Sequence, residues 1–356
     1  MPKSKLLILL VLSFLVSGCT LNLGIGGGTK LPSNGGLFKS TDHGQTWVTR
    51  NSILGTNGQN LSMTNLAIYS MAMDPSDSKA LYLGMFEKGI MTSYDGAESW
   101  SPSRSKALNV QVIVDLAVDP KNKCQIYSSI GSKLLKSSDC GRSWQVAYTD
   151  ANANAVVRSL AIDHYNPALV YIGTDNGNLI KSSDYGVSWQ NIQIFKNEIK
   201  KIVISKSDSR TIMIGLSNGK LYRTTDAGVT WLDLSDKLKE FKGDRSLRDL
   251  ISVPSQDGGF LLALKYGLLR TVNNGDDWTE IKLLTPKEPV TINSLAVNYK
   301  NPQLLYYITD ATFYRSIDGG ENWTTTPIPT TRRAWKILSD PNQDGLIYLG
   351  VREPNN

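Results

Sequence analysis

The sequence predicts an all-β fold: a single seven-bladed β-propeller with four antiparallel strands per blade. Three observations predict it. Seven of the eight tryptophans close one short motif that recurs about every forty-five residues. Between the copies lie short apolar runs bounded by Asp, Asn, Pro and Gly, the pattern of brief strands joined by tight turns. The two ends of the array are incomplete in complementary ways.

The leader comes first. Met1 to Lys5 carries two lysines, Leu6 to Val16 is an apolar run broken only by Ser13, and Ser17-Gly18-Cys19 follows. A basic start, a short apolar stretch and small residues describe a secretory signal. The run is shorter than the ~20 residues that span a bilayer. Cys19 after Ser17 and Gly18 resembles the bacterial lipoprotein box. That resemblance implies removal of residues 1–18, lipidation of Cys19 and anchorage of an exported protein to the cell envelope; an ordinary cleaved signal is the alternative. Residues 19–35, rich in Gly, Ser, Asn and Pro, read as a flexible tether. Residues 36–356 remain for the propeller.

The motif copies are Ser40–Trp47, Ser93–Trp100, Ser137–Trp144, Ser182–Trp189, Thr224–Trp231, Thr271–Trp278 and Ser316–Trp323. Their third residues are Asp42, Asp95, Asp139, Asp184, Asp226, Asn273 and Asp318. A carboxylate here can accept turn amides, a following Gly permits positive φ, and the Trp leaves the turn to pack its ring against the blade. The second copy has its glycine one place early, the sixth has Asn273 and Asp277, and the seventh has Asn322, so looser turns are expected there.

One repeat shows the strand order. Ser159–Asp163 is strand A, Ala168–Gly173 strand B, Asn178–Ser182 strand C and Trp189–Ile192 strand D. The A–B turn carries Asp-Pro or Asn-Pro in most copies, as at Asp74-Pro75 and Asn301-Pro302. Strand A recurs near Ser70, Asp115, Ser159, Lys201, Asp249, Ser294 and Ala334. The last A and B strands, Ala334–Ser339 and Leu346–Val351, have no C and D after them, and Gly36–Ser40 opens the array with a C strand. The two ends should complete one shared blade and hide two sheet edges.

The pattern S/T-x-D-x-G-x-S/T-W resembles the Asp-box, or BNR, repeat across about residues 36 to 356. The family includes sialidases, xyloglucan hydrolases, sortilin-type receptors and photosystem II assembly factors. The resemblance implies a propeller and leaves the activity open, because the box is a folding element distant from the chemistry.

Composition narrows the function. The formal charge is +6, with Lys3 and Lys5 in the leader, and no dense basic run points to nucleic acid. His43 and His164 are too far apart for a metal site, and no cofactor is expected. With Cys19 lipidated, Cys124 and Cys140 remain as a pair. In an exported chain they are expected to be oxidised, being placed in neighbouring turns of one blade; two free thiols are the alternative.

Basic residues precede several A strands: Arg158, Lys200 with Lys201, Arg248, and Arg332 with Arg333. On one propeller face they would form a cationic mouth for a carboxylate, a phosphate or an acidic peptide; pairing with Asp115 and Asp249 is the alternative. A glycosidase needs two carboxylates facing one cleft, and Asp115, Asp175, Asp249 and Asp310 are the candidates. Asp175 lies in a loop similar to one holding an acid in xyloglucan hydrolases, although those enzymes use two propellers. The sialidase Arg-Ile-Pro segment is absent. The sequence is therefore expected to encode a monomeric, membrane-tethered propeller that is not an enzyme. It would bind a protein or glycan on its D–A and B–C loop face, as an assembly factor does, with a glycoside hydrolase as the alternative.

Overall fold

A computed structural model describes residues 35–55, 60–103, 105, 108, 112–286 and 290–352. All belong to the unit Pro32–Asn356, the second of two into which the chain divides. The expected leader, Cys19 and nearly all of the tether lie outside the described residues.

Seven four-stranded antiparallel sheets stand in sequence order. Their innermost strands are Ile68–Asp74, Ile113–Asp119, Val157–Ile162, Ile199–Ile204, Leu247–Ser252, Ser294–Val297 and Arg333–Ser339. The ring closes as the two ragged ends require. Leu37–Ser40 pairs antiparallel with Ile347–Arg352, from Leu37 opposite Gly350 to Ser40 opposite Ile347. The closing blade thus runs Arg333–Ser339, Ile347–Arg352, Leu37–Ser40, Val48–Thr49. The second strands are mostly buried, and Val170–Thr174 and Ile212–Leu216 are so at every residue. The core is therefore a set of apolar layers between blades rather than one central mass.

A glycine in the second strand lets neighbouring blades approach. A Cβ on Gly173 would stand 2.4 Å from Ile199 Cγ2 of the next blade. Gly215 meets Leu247 of the blade after in the same way, at 2.6 Å.

The recurring motif has one geometry in all seven copies. The first hydroxyl accepts the amide of the fifth residue at 2.7–3.0 Å. The third side chain accepts the amide of the seventh at 2.8–3.0 Å. The fourth and fifth residues are both left-handed, as with Tyr185 at φ 60° and Gly186 at φ 82°. The looser turns expected in three copies are not found. In the second copy Gly96 takes the first left-handed place and Ala97 the second. In the sixth, Asn273 Nδ2 donates to Asp277 at 2.9 Å, so the amide and the acid have exchanged places. In the seventh, Asn322 Nδ2 replaces a hydroxyl as donor to Asp318, at 2.7 Å.

The motif tryptophans reach across to the preceding blade. Trp189 Nε1 donates to Ala147 O at 2.8 Å, Trp100 Nε1 to Arg50 O and Trp323 Nε1 to Lys282 O. Trp100, Trp278 and Trp323 are buried; each such ring contributes roughly 1.5–3 kcal/mol.

Two local features fill long loops. The stretch before Ser70 contains a hairpin with Ser52 opposite Ser62, docked on Trp100. A 3-10 turn at Ser235–Leu238 buries Leu238 beside Leu234 and Phe241.

Candidate functional site

The channel mouth is built by one device repeated around the ring. In six innermost strands the pairing with the second strand skips one residue near the start. The skipped residues are Tyr69, Val114, Arg158, Lys200, Arg248 and Trp335. In the remaining blade Asn293 holds the equivalent place, just before Ser294. A bulge of this kind frees a residue from the ladder and re-aims its side chain. All seven line a single cavity of about 500 Å³.

The ring is lopsided. Trp335, Tyr69 and Val114 occupy three consecutive blades, and Arg158, Lys200 and Arg248 occupy the next three. Phe86, 46% exposed, extends the apolar half beside Tyr69 at a ring separation of 6.2 Å. Arg352 stacks on Trp335 at 3.4 Å from the ring centre. The Trp335 indole donates to Tyr69 O at 3.2 Å and so ties the closing blade to its neighbour.

The residues that follow these seven positions are Ser70, Asp115, Ser159, Lys201, Asp249, Ser294 and Lys336, and all but Ser159 line a second cavity along the channel. These side chains stitch blade to blade. Ser70 donates to Ile113 O, Asp115 accepts from Leu160 N, Ser159 accepts from Ile202 N, and Asp249 accepts from Leu295 N and Ser294 Oγ. Lys201 Nζ sits 2.7 Å from Asp249. Burial opposes both of those charges, yet each is held by the other: Lys201 is raised and Asp249 lowered from their ordinary values. Burial pushes Asp115 upward, against the pull of Lys201 and Lys336. Lys336, repelled by Lys201 and then penalised by burial, is pushed down to about 8.

Of the basic residues singled out in the sequence, five reach this region. Arg158 pairs with Glu198 at 3.1 Å and Asp175 at 4.0 Å. Lys201 is spent on Asp249 as a channel residue, which is the pairing alternative to a free cation. Arg333 pairs with Asp310 at 2.6 Å. Lys200 donates to Leu247 O at 2.5 Å, and burial together with Arg248 pushes its amine down. Arg248 has a buried Nε with no hydrogen-bond partner. Arg332 does not line the mouth cavity; its side chain lies against Gly35. Sequence reasoning missed Glu198, Trp335, Lys336 and Arg352. One signal for Trp335 was available: it is the tryptophan that closes no motif. On the opposite face Cys124 and Cys140 are joined as a disulfide, and Cys140 N donates to Cys124 O.

Asp175 and Glu198 share one guanidinium, which keeps their carboxylates no more than about 10 Å apart, a limit close to the widest separation of glycosidase pairs. Asp175 sits in a B–C turn, where its Oδ1 accepts Val156 N at 2.9 Å. Glu198 comes from the loop before the next innermost strand and faces the cavity.

Comparison with known proteins adds the following. A family model described as Sortilin-Vps10 (sortilin, neurotensin receptor 3) matches residues 132–246. A curated xyloglucanase from a Paenibacillus species is 27% identical over 134 residues, which cover 30% of this chain and 13% of that protein. A xyloglucanase of Acetivibrio thermocellus is 30% identical over 102 residues, 24% of this chain and 12% of that one. The chain thus spans a small part of the length of these relatives. Among solved structures, a xyloglucanase from Xanthomonas campestris superposes with TM-score 0.67 at 17% identity, over 81% of this chain and 51% of that one. A structure described as YCF48 bound to D1 peptide gives TM-score 0.62 at 17% identity, over 82% and 94%. At that identity the solved structures establish the fold. The curated sequence relatives are xyloglucanases, and this corrects the expectation that the protein is not an enzyme.

Proposed function

We propose that this protein is a glycoside hydrolase of the xyloglucanase kind, cleaving a glycan laid across the channel mouth. The carboxylate pair on Arg158 supports this reading most. An inverting hydrolysis needs one carboxyl to protonate the glycosidic oxygen and a second, opposite, to take a proton from the attacking water. Glu198, in the closer ion pair with Arg158 at 3.1 Å, is held as proton acceptor and suits the base. Asp175, whose contact with the same guanidinium is longer at 4.0 Å, suits the acid. Tyr69, Phe86 and Trp335 offer flat apolar surface to the faces of sugar rings.

The test is release of reducing ends from tamarind xyloglucan and other β-glucans by the full chain. Wild type should cleave at least one of them, and Asp175→Asn or Glu198→Gln should each lose a hundredfold or more with unchanged thermal stability. No release from any of them, or full activity in both variants, would reject the reading.

A second reading is carried by the cationic half of the mouth: capture of an acidic segment of a protein partner. Its structural neighbour in complex with a peptide supports it. Pull-down with the chain and with Arg158, Lys200 and Arg248 reversed in charge distinguishes it, since equal capture by both rejects it. Under either reading the protein is exported and held to the cell envelope by lipid on Cys19, as the leader suggests. Cys19→Ser should then release it from the membrane fraction.

A further inference from the structure

The distribution of partners around the mouth is uneven, and it says what kind of glycan fits. Arg158, Lys201 and Arg333 each have an acidic partner in the structure. Among the described residues, Lys200 and Arg248 make no ion pair with any carboxylate. They are skipped residues of adjacent blades, so one stands beside the other on the same rim. Burial and the nearness of Arg248 disfavour the charge on Lys200 by more than Glu198 and Asp249, neither in contact with it, favour it. Arg248 Nε is buried with no hydrogen-bond acceptor. Two neighbouring cations, one with an idle buried donor, are a costly arrangement that an anion between them would relieve.

Across the same cavity stand Trp335, Tyr69 and Val114, with Phe86 behind. Asn293, between the two halves, is fixed by its bonds to Asp310 and Ala334 O. A ligand that satisfies both halves carries an anionic group on one edge and a flat apolar face on the other. A neutral sugar offers Lys200 and Arg248 hydroxyl acceptors but no opposite charge, and a small inorganic anion leaves the aromatic half bare.

Building on the glycan reading above, we propose that the mouth is selective for acidic glycans. A uronate carboxylate is received between Lys200 and Arg248, while the sugar's C–H face lies on Tyr69 and Trp335. An ionised acceptor bonded to two cations is the strong form of hydrogen bond, and Coulomb attraction to a partly exposed pair weakens with salt.

The experiment measures Kd by calorimetry for the full chain with four probes. These are glucuronate-bearing β-1,4-linked oligosaccharides, the same oligosaccharides with every carboxylate reduced to an alcohol, neutral xyloglucan oligosaccharides, and a Glu-rich hexapeptide. The acidic oligosaccharides should bind at least tenfold tighter than their reduced forms, and the difference should shrink as salt is raised. Lys200→Met with Arg248→Met should abolish the difference. Arg248→Lys, which keeps the charge, should preserve most of it, and unchanged binding of the reduced oligosaccharides by the double variant shows that it is still folded. Trp335→Ala should weaken acidic and reduced forms alike. Equal binding of acidic and reduced forms, or tighter binding of the hexapeptide than of the acidic glycan, overturns the proposal. If neutral xyloglucan is cleaved and bound as well as the acidic form, the hydrolase reading stands and this one falls. If no glycan binds, both fall.

Discussion

Lys201 Nζ lies 2.7 Å from Asp249 Oδ1, and this pair spans two blades at the channel wall, with Asp249 also taking Leu295 N and Ser294 Oγ of a third. Three consecutive blades are therefore held by one carboxylate. Removing one partner strands a buried charge, which costs about 3–5 kcal/mol. Asp249→Asn and Lys201→Met should each lower the urea midpoint strongly, and the double variant should recover part of the loss. A change below about 0.5 kcal/mol in the single variants would show that the pair holds nothing together.

Lys336 gives a pH signature. Its native value of about 8 lies below that of an unfolded lysine, so from about pH 8 upward the unfolded chain binds the proton and the native state does not. Stability should therefore rise between about pH 8 and pH 10 from this group, and the native state should be penalised below that window. Chemical denaturation across pH 7 to 10 should show the rise in wild type and lose it in Lys336→Met. Identical slopes in both would contradict the assignment.

The recurring turns predict acid sensitivity. The Ser143 hydroxyl and amide hold the Asp139 carboxyl down at about 2, and Asn322 does the same for Asp318. Groups with depressed native values contribute stability that is present above about pH 4 and lost as pH falls towards 2. Asp184→Ala, which removes bonds to Ser182, Val187 and Ser188, should shift the acid unfolding midpoint upward. An unchanged midpoint would mean the turn tolerates loss of its carboxylate.

Gly173 tests the approach of neighbouring blades. An added Cβ meets Ile199 at 2.4 Å, and overpacking of this kind costs about 1–3 kcal/mol. Gly173→Ala should lower Tm by several degrees, and Gly173→Ala with Ile199→Val should restore part of it. A neutral Gly173→Ala would show that the interface yields freely.

The disulfide closes a loop of sequence separation 16, for which chain-entropy reasoning gives about 3 kcal/mol. Thiol titration of the unfolded, unreduced chain should find neither Cys124 nor Cys140 free, and reductant should lower Tm. Two titratable thiols in freshly purified protein would contradict this.

The fold was legible because its signals are local. Each motif carries its own turn chemistry, so seven tryptophans at even spacing report seven hairpins, and the half-blades at Gly36–Ser40 and Ala334–Val351 report their own union. The degenerate copies misled for an instructive reason. Asn273 and Asp277 each break the pattern when read singly, but together they exchange donor and acceptor and keep the bond. The site was legible only in part. Its bulges depend on registers between strands, which a single strand cannot show; Arg332 and Arg333 look equivalent in sequence, yet only Arg333 lines the mouth. Glu198 is unremarkable in sequence and gains meaning from Asp175, twenty-three positions earlier, through the shared Arg158.

Hydroxyl-radical footprinting of the full chain, with and without a saturating oligosaccharide it cleaves, tests most directly that glycan is handled at the bulge-built mouth. Protection should concentrate on Tyr69, Phe86 and Trp335, and Tyr165 and Tyr185, exposed on the far face, should stay unchanged. Protection of Tyr165 or Tyr185 with Trp335 unaffected would place the ligand elsewhere and contradict the account.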